Sequence, residues 1–146
     1  MANLNLVGEK QQIVFGKDSI VIRKYGNSLA GGRVLDVTNF APKAIEAGHI
    51  IIKSQDGVYK PMPLNDGGTA YAALPDNHTY VGVLYRSIST AKPAASILTV
   101  GVVNEKALPF AISSIKSAFV TACPHIVFES DEPVDVPSEE SDSASN

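Results

Sequence analysis

Three histidines, one cysteine and a scatter of carboxylates are the side chains of this chain best suited to acid–base, nucleophilic or metal chemistry. Their spacing argues against each. His49, His78 and His125 lie far apart and form no ligand pair at strand or helix spacing. Cys123 and His125 are two residues apart, but a metal site needs two further ligands held as closely. A nucleophilic thiolate wants a helix N-terminus or a cation beside it. Cys123 instead follows an apolar-periodic run that reads as helix, at the end where the helix dipole disfavours negative charge. Asp18, Asp56, Asp66 and Asp76 sit in turn-like contexts, where Asp satisfies local backbone groups. No GxSxG elbow, Walker loop, dinucleotide fingerprint or calcium loop is present. A carboxylate pair assembled in space needs no such signature. Tyr59, Tyr71, Tyr80 and Tyr85 suit a core edge or a subunit contact, since a tyrosine has an apolar body and a wet tip. The expectation is no enzyme, with no catalytic, cofactor-binding or metal-ligating residue.

Charge divides the chain. Seven of the 15 acids fall in residues 129–146, which hold no Lys or Arg, and the remaining eight face 12 basic residues. The body is therefore cationic and the end acidic. The basic residues are dispersed, with Arg23–Lys24 the only adjacent pair, and no basic run interleaves with aromatics. Direct nucleic-acid binding is not expected. The first residues lack the basic-then-apolar order of a signal peptide, and no apolar stretch reaches the roughly 18 residues of a membrane helix. With one cysteine, no intrachain disulfide can form.

The elements that must position these residues are mostly strands. The fold class expected is mainly β or α+β: a small β-barrel-like domain with one main helix at about 104–119 and a short helix at about 40–47. Residues 1–25 read as an N-terminal arm. Its runs Gln11–Phe15 and Ser19–Tyr25 flank Gly16–Asp18 and suggest a β-hairpin. Residues 26–130 read as the β-rich core, and 131–146 as a disordered acidic tail with too little apolar surface to offset the entropy of ordering. Within the core, Arg33–Asn39 reads as a strand. Asn39, Pro42 and Gly48 are placed to cap, start and end the short helix. His49–Lys53 and Val58–Met62 form a hairpin about Gln55–Gly57, with Pro61 and Pro63 assigning its second strand to a sheet edge. Thr79–Arg86 pairs with Ala95–Val103, and the strand glycines Gly82 and Gly101 mark curvature or close backbone approach. Leu108, Ala111, Ile112, Ile115, Ala118 and Phe119 recur at helical spacing, with Pro109 tolerable only in a first turn. His125–Glu129 is the last strand.

Three stretches carry a family likeness: Gly32–Thr38; Ala47–Ile51 with Asp56–Met62; and Tyr80–Leu84 with Gly101–Leu108, followed by a helix and Ala122–Ile126. Over roughly residues 30–128 the chain resembles the head decoration, or cementing, proteins of tailed bacteriophages, including the auxiliary capsid proteins of crAss-like phages. That resemblance implies a non-enzymatic protein on the capsid exterior, present in the host cytoplasm during assembly. It further implies that the major capsid protein is its partner, with homotrimers or neighbouring copies of itself beside it. No membrane and no cofactor are implied. The strand-like runs of the arm and the acidic tail depart from the short lambda type. A strand-capable arm suits β-augmentation of a neighbouring subunit. The interface residues expected are accordingly Ile13, Val14, Phe15, Ile20, Val21, Ile22, Arg23 and Tyr25. The alternative is a receptor- or glycan-binding surface module, which a groove ringed by Tyr and Asn/Asp side chains would favour.

Overall fold

A computed structural model of the protein describes residues 18–130. The mainly β, α+β class holds, with one main helix and a short 3-10 turn. The chain runs through a single helical turn α1 (Asp18–Val21) into β1 (Ile22–Ser28). β2 (Arg33–Val34), β3 (Ala44–Ile45), β4 (Ile50–Ser54), β5 (Tyr59–Pro61) and β6 (His78–Leu84) follow. Then come β7 (Ile88–Ser89), β8 (Ala94–Ala95), β9 (Ile97–Asn104), the 3-10 turn Glu105–Ala107, α2 (Lys116–Ala122) and β10 (Ile126–Glu129).

The main sheet has the order β1-β9-β6-β4-β5, with β10 added parallel to β9. Two short ladders, β2–β8 and β3–β7, complete the set. They prolong the larger ones. Leu29 N–H donates to Ile97 O between the β1–β9 and β2–β8 pairings, and Gly48 N–H donates to Leu84 O between β4–β6 and β3–β7. From β2 the chain reaches the far edge of β5, where Asp36 N–H donates to Tyr59 O at 2.8 Å. Among the described residues, the barrel-like circuit is thus closed by this backbone hydrogen bond and not by a strand ladder.

Both faces of the central strands are covered, which is why Ile50, Ile51 and Ile52 are all fully buried instead of alternating. Ile50, Ile52, Val83 and Leu98 join Phe119, Ile112, Ile126 and Met62 in the larger cluster. Ile51, Leu84 and Ile97 join Leu35, Ile45 and Ala95 inside the partial barrel. The strand glycines are close-approach positions. A Cβ on Gly82 would overlap Leu98 O, and one on Gly101 would overlap Lys24 O. These approaches let β9 take β1 on one edge and share the other between β6 and β10.

Three expected elements differ. The main helix does not span 104–119: Asn104 ends β9 and caps the 3-10 turn by accepting from Lys106 N–H, and α2 starts only at Lys116. Pro109 has no N–H to continue a helix, and Leu108 is already extended at ψ 148°. The periodic residues Ile112, Ile115 and Phe119 still reach the core, two of them from loop. The short helix at 40–47 is absent. Asn39 is left-handed at φ 65°, and Ala44–Ile45 pairs with Ile88–Ser89, so ladder bonds replace those of a helix too short to stand alone. Finally, Arg33–Asn39 is strand only at Arg33–Val34.

Candidate functional site at the arm root and the β1 edge

The chain enters the described domain through a polar clamp. Asp18 accepts two hydrogen bonds from Ser87, from its backbone N–H at 2.9 Å and its hydroxyl at 2.6 Å. The Ser87 hydroxyl oxygen in turn accepts from Ala47 N–H at 2.9 Å. Ser87 is 1% exposed, so the node satisfies a buried donor at the junction of β6 with β7. Val21 is buried against the same junction, where a Cβ on Gly48 would fall 2.7 Å from its methyl. The sequence signal for this anchor was an aspartate two residues after Gly16, which reads equally well as turn chemistry; its partner lies 69 residues away.

β1 follows immediately. Among the described residues it has one ladder partner, β9, and its register with β9 shifts at three places. Such irregularities twist an edge away from indiscriminate pairing. All its residues from Arg23 to Asn27 are exposed. The Tyr25 ring packs on Tyr85 at 5.1 Å, and the Arg86 guanidinium lies 5.2 Å from the Tyr85 ring. Arg23 pairs with Glu129 of β10 at 2.6 Å, across β9.

The expected interface residues therefore separate into three groups. Ile13, Val14 and Phe15 lie outside the described residues. Val21 and Ile22 are buried and belong to the core, because α1 and the start of β1 seal the larger cluster. Ile20, at 52% exposed, Tyr25, at 48%, and Arg23 are on the surface. The arm boundary drawn at residue 25 moves accordingly: residues 18–25 are part of the folded domain, and the second half of the expected hairpin begins as the α1 turn.

No family model, curated protein or solved structure matches this chain. Its chemistry is read from its own geometry.

His49 is 1% exposed, inside a cage of Phe40, Tyr71 and Phe110 rings set edge-on, with Nε2–H donating to Met62 O at 3.0 Å. Burial pushes its pKa down to about 4, so it is a neutral core histidine at pH 7. Tyr71 accepts from Ile50 N–H in the same cage, and burial raises its phenol. His78 bonds Asp76 O through Nδ1, whereas His125 is exposed. Cys123 is buried, and burial pushes its thiol up to about 11, which keeps it protonated. Among the described residues no three His, Cys, Asp or Glu side chains group as metal ligands would. Two surface depressions stand out. One, of about 670 Å³, is formed by Leu29, Gly31–Val34 and Ala94–Ser96. The other, of about 320 Å³, is a polar hollow of Asp36, Ser54–Asp56, Val58, Lys60 and Asp76–His78. Neither is lined by a Tyr, Phe or Trp ring on which a sugar could stack.

Proposed function

We propose that this protein is a non-enzymatic capsid decoration protein, binding the outside of an assembled viral shell and strengthening the contacts of the major capsid protein. The observation carrying this reading is the joint placement of the clamped arm root and the exposed β1 edge. The Asp18–Ser87 node ties the start of the domain to the core, and Ile20 and Tyr25 stand exposed on the segment that follows it. A segment pulled from that point loads β6, β7 and the Ala47 backbone together, and not a frayed terminus. The 17 residues ahead of Asp18 include the β-prone run Gln11–Phe15 and at full extension reach up to about 55 Å. That compares with a radius of gyration of about 13 Å for a domain of this size. Such a segment can lie on a neighbouring subunit while its own domain sits on another. Many moderate contacts held across adjacent subunits then add as avidity. The sequence likeness to head decoration proteins points the same way.

The test is to mix the purified protein with shells lacking it, then measure bound copies and the temperature at which the shells open. Saturable binding with a raised opening temperature supports the proposal. Shells that take up no protein overturn it.

A further inference from the structure

Among the described residues, the sheet is covered on both faces at its centre but on only one face at its β1–β9–β10 end. Lys24, Val102 and Val127 stand in register across the three strands, so their side chains share a face. The neighbouring set Ile22, Val103 and Phe128 is also in register and packs into the core. The first set therefore points outward. Val127 is 51% exposed, Val100 is 37% exposed and Val102 is half-buried. Arg23 and Lys24, the only adjacent basic pair in the chain, border this valine strip.

We propose that residues 131–137 of the same chain cover this face as an intramolecular strap. They leave the domain at the end of β10, where Glu129 already reaches across β9 to Arg23 at 2.6 Å. Two strand spacings, about 10 Å, separate β10 from β1. The segment begins Asp131–Glu132, acids delivered beside Arg23–Lys24, and continues Pro133-Val-Asp-Val-Pro137. In an extended stretch Val134 and Val136 fall on one side and Asp135 on the other. Both valines can then lie on Val102 and Val127 while Asp135 faces water. The two prolines lack N–H donors and favour extended backbone before them. Proline suits a segment laid over a sheet face and disfavours one added as a strand to an edge. Charge agrees: residues 131–146 carry six acids and no basic residue, whereas residues 1–130 carry nine acids against 12 basic residues. The strap is separate from the β1 edge proposed for shell binding.

The test compares the full chain with one ended at Ser130 and with the double variant Val134→Ser, Val136→Ser, using methyl and amide NMR. Both changes are expected to move the resonances of Lys24, Val102 and Val127 and to leave those of Ile51 and Ile97 in place. A nitroxide on Ser138→Cys should broaden Val127; the buried, protonated Cys123 is a poor competitor for the label. The broadening should persist when the labelled protein is diluted into unlabelled chains. Resonances unmoved by truncation overturn the strap. So does broadening transferred to chains that carry no label, which would make a second copy the occupant.

Discussion

His49 shows how a residue suited to chemistry becomes part of the core. Its ring meets three aromatic rings and one carbonyl, and burial depresses its pKa from 6.5 to about 4. The unfolded chain therefore binds a proton more readily than the folded one. Its contribution to stability is fully present above pH 6.5 and is lost as pH falls from 6.5 towards 4, by about 3 kcal/mol in all. Urea unfolding at pH 7 and at pH 4.5 should show this loss, and His49→Leu should flatten the part of the pH dependence belonging to this ring. An unchanged slope in the variant would refute the assignment. At the arm root, Ser87→Ala removes the hydroxyl that donates to the Asp18 carboxylate and accepts from the Ala47 N–H, and leaves only the residue-87 backbone N–H on Asp18. The buried part of that node is expected to cost about 1–3 kcal/mol. A double-mutant cycle of Ser87→Ala with Asp18→Asn should give a coupling of about 0.5 kcal/mol or more; strict additivity would show that the two residues do not act as one node.

At the scale of elements, β9 is the strand through which the domain is organised, and glycines set its approaches. Gly82→Ala places a methyl group onto Leu98 O, with the backbone of β9 as the obstacle. A loss of about 2 kcal/mol or more is expected from such overpacking. Gly57→Ala, in the β4–β5 turn, meets nothing within 4 Å and carries only the penalty of φ 88°, about 1 kcal/mol. Thermal unfolding of the pair would test the ranking, and equal losses would contradict it. The same contrast shows what was legible in the sequence. The β4–β5 hairpin was plain because Asp56–Gly57 is a local signal, and Pro61 placed β5 at an edge for an equally local reason. Gly82 and Gly101 announced close approach without saying to what. The helix boundaries were misleading because Leu108, Ile112, Ile115 and Phe119 follow the needs of the core, and a core can be filled from loop and helix alike. Ala44–Ile45 was hidden because its ladder partner is Ile88–Ser89, which no local pattern indicates. The clamp was invisible for the same reason: Asp18 and Ser87 are unremarkable until the fold joins them.

At the scale of the whole molecule, the division between arm root, core and acidic end leads to a prediction about attachment. Residues 18–25 contribute Val21 and Ile22 to the core, so a truncation meant to remove the arm must stop short of Asp18. A chain beginning at Lys17 retains the Asp18–Ser87 node and every described strand, and should unfold at the same denaturant concentration as the full chain. If the arm carries attachment, this chain should lose most of its binding to shells. The chain ended at Ser130 should still bind, because it keeps both the arm and the β1 edge. Ile20→Ser and Tyr25→Ser separate the two contributions, since both side chains are about half exposed and their replacement leaves the buried cluster intact. Fewer bound copies with unchanged stability would place the β1 edge in the contact surface. Full binding by the chain beginning at Lys17, with loss only in the Tyr25 variant, would move attachment from the arm to the domain face. Full binding by all of these variants would remove both surfaces from the contact, and with them the assembly role argued from the arm root.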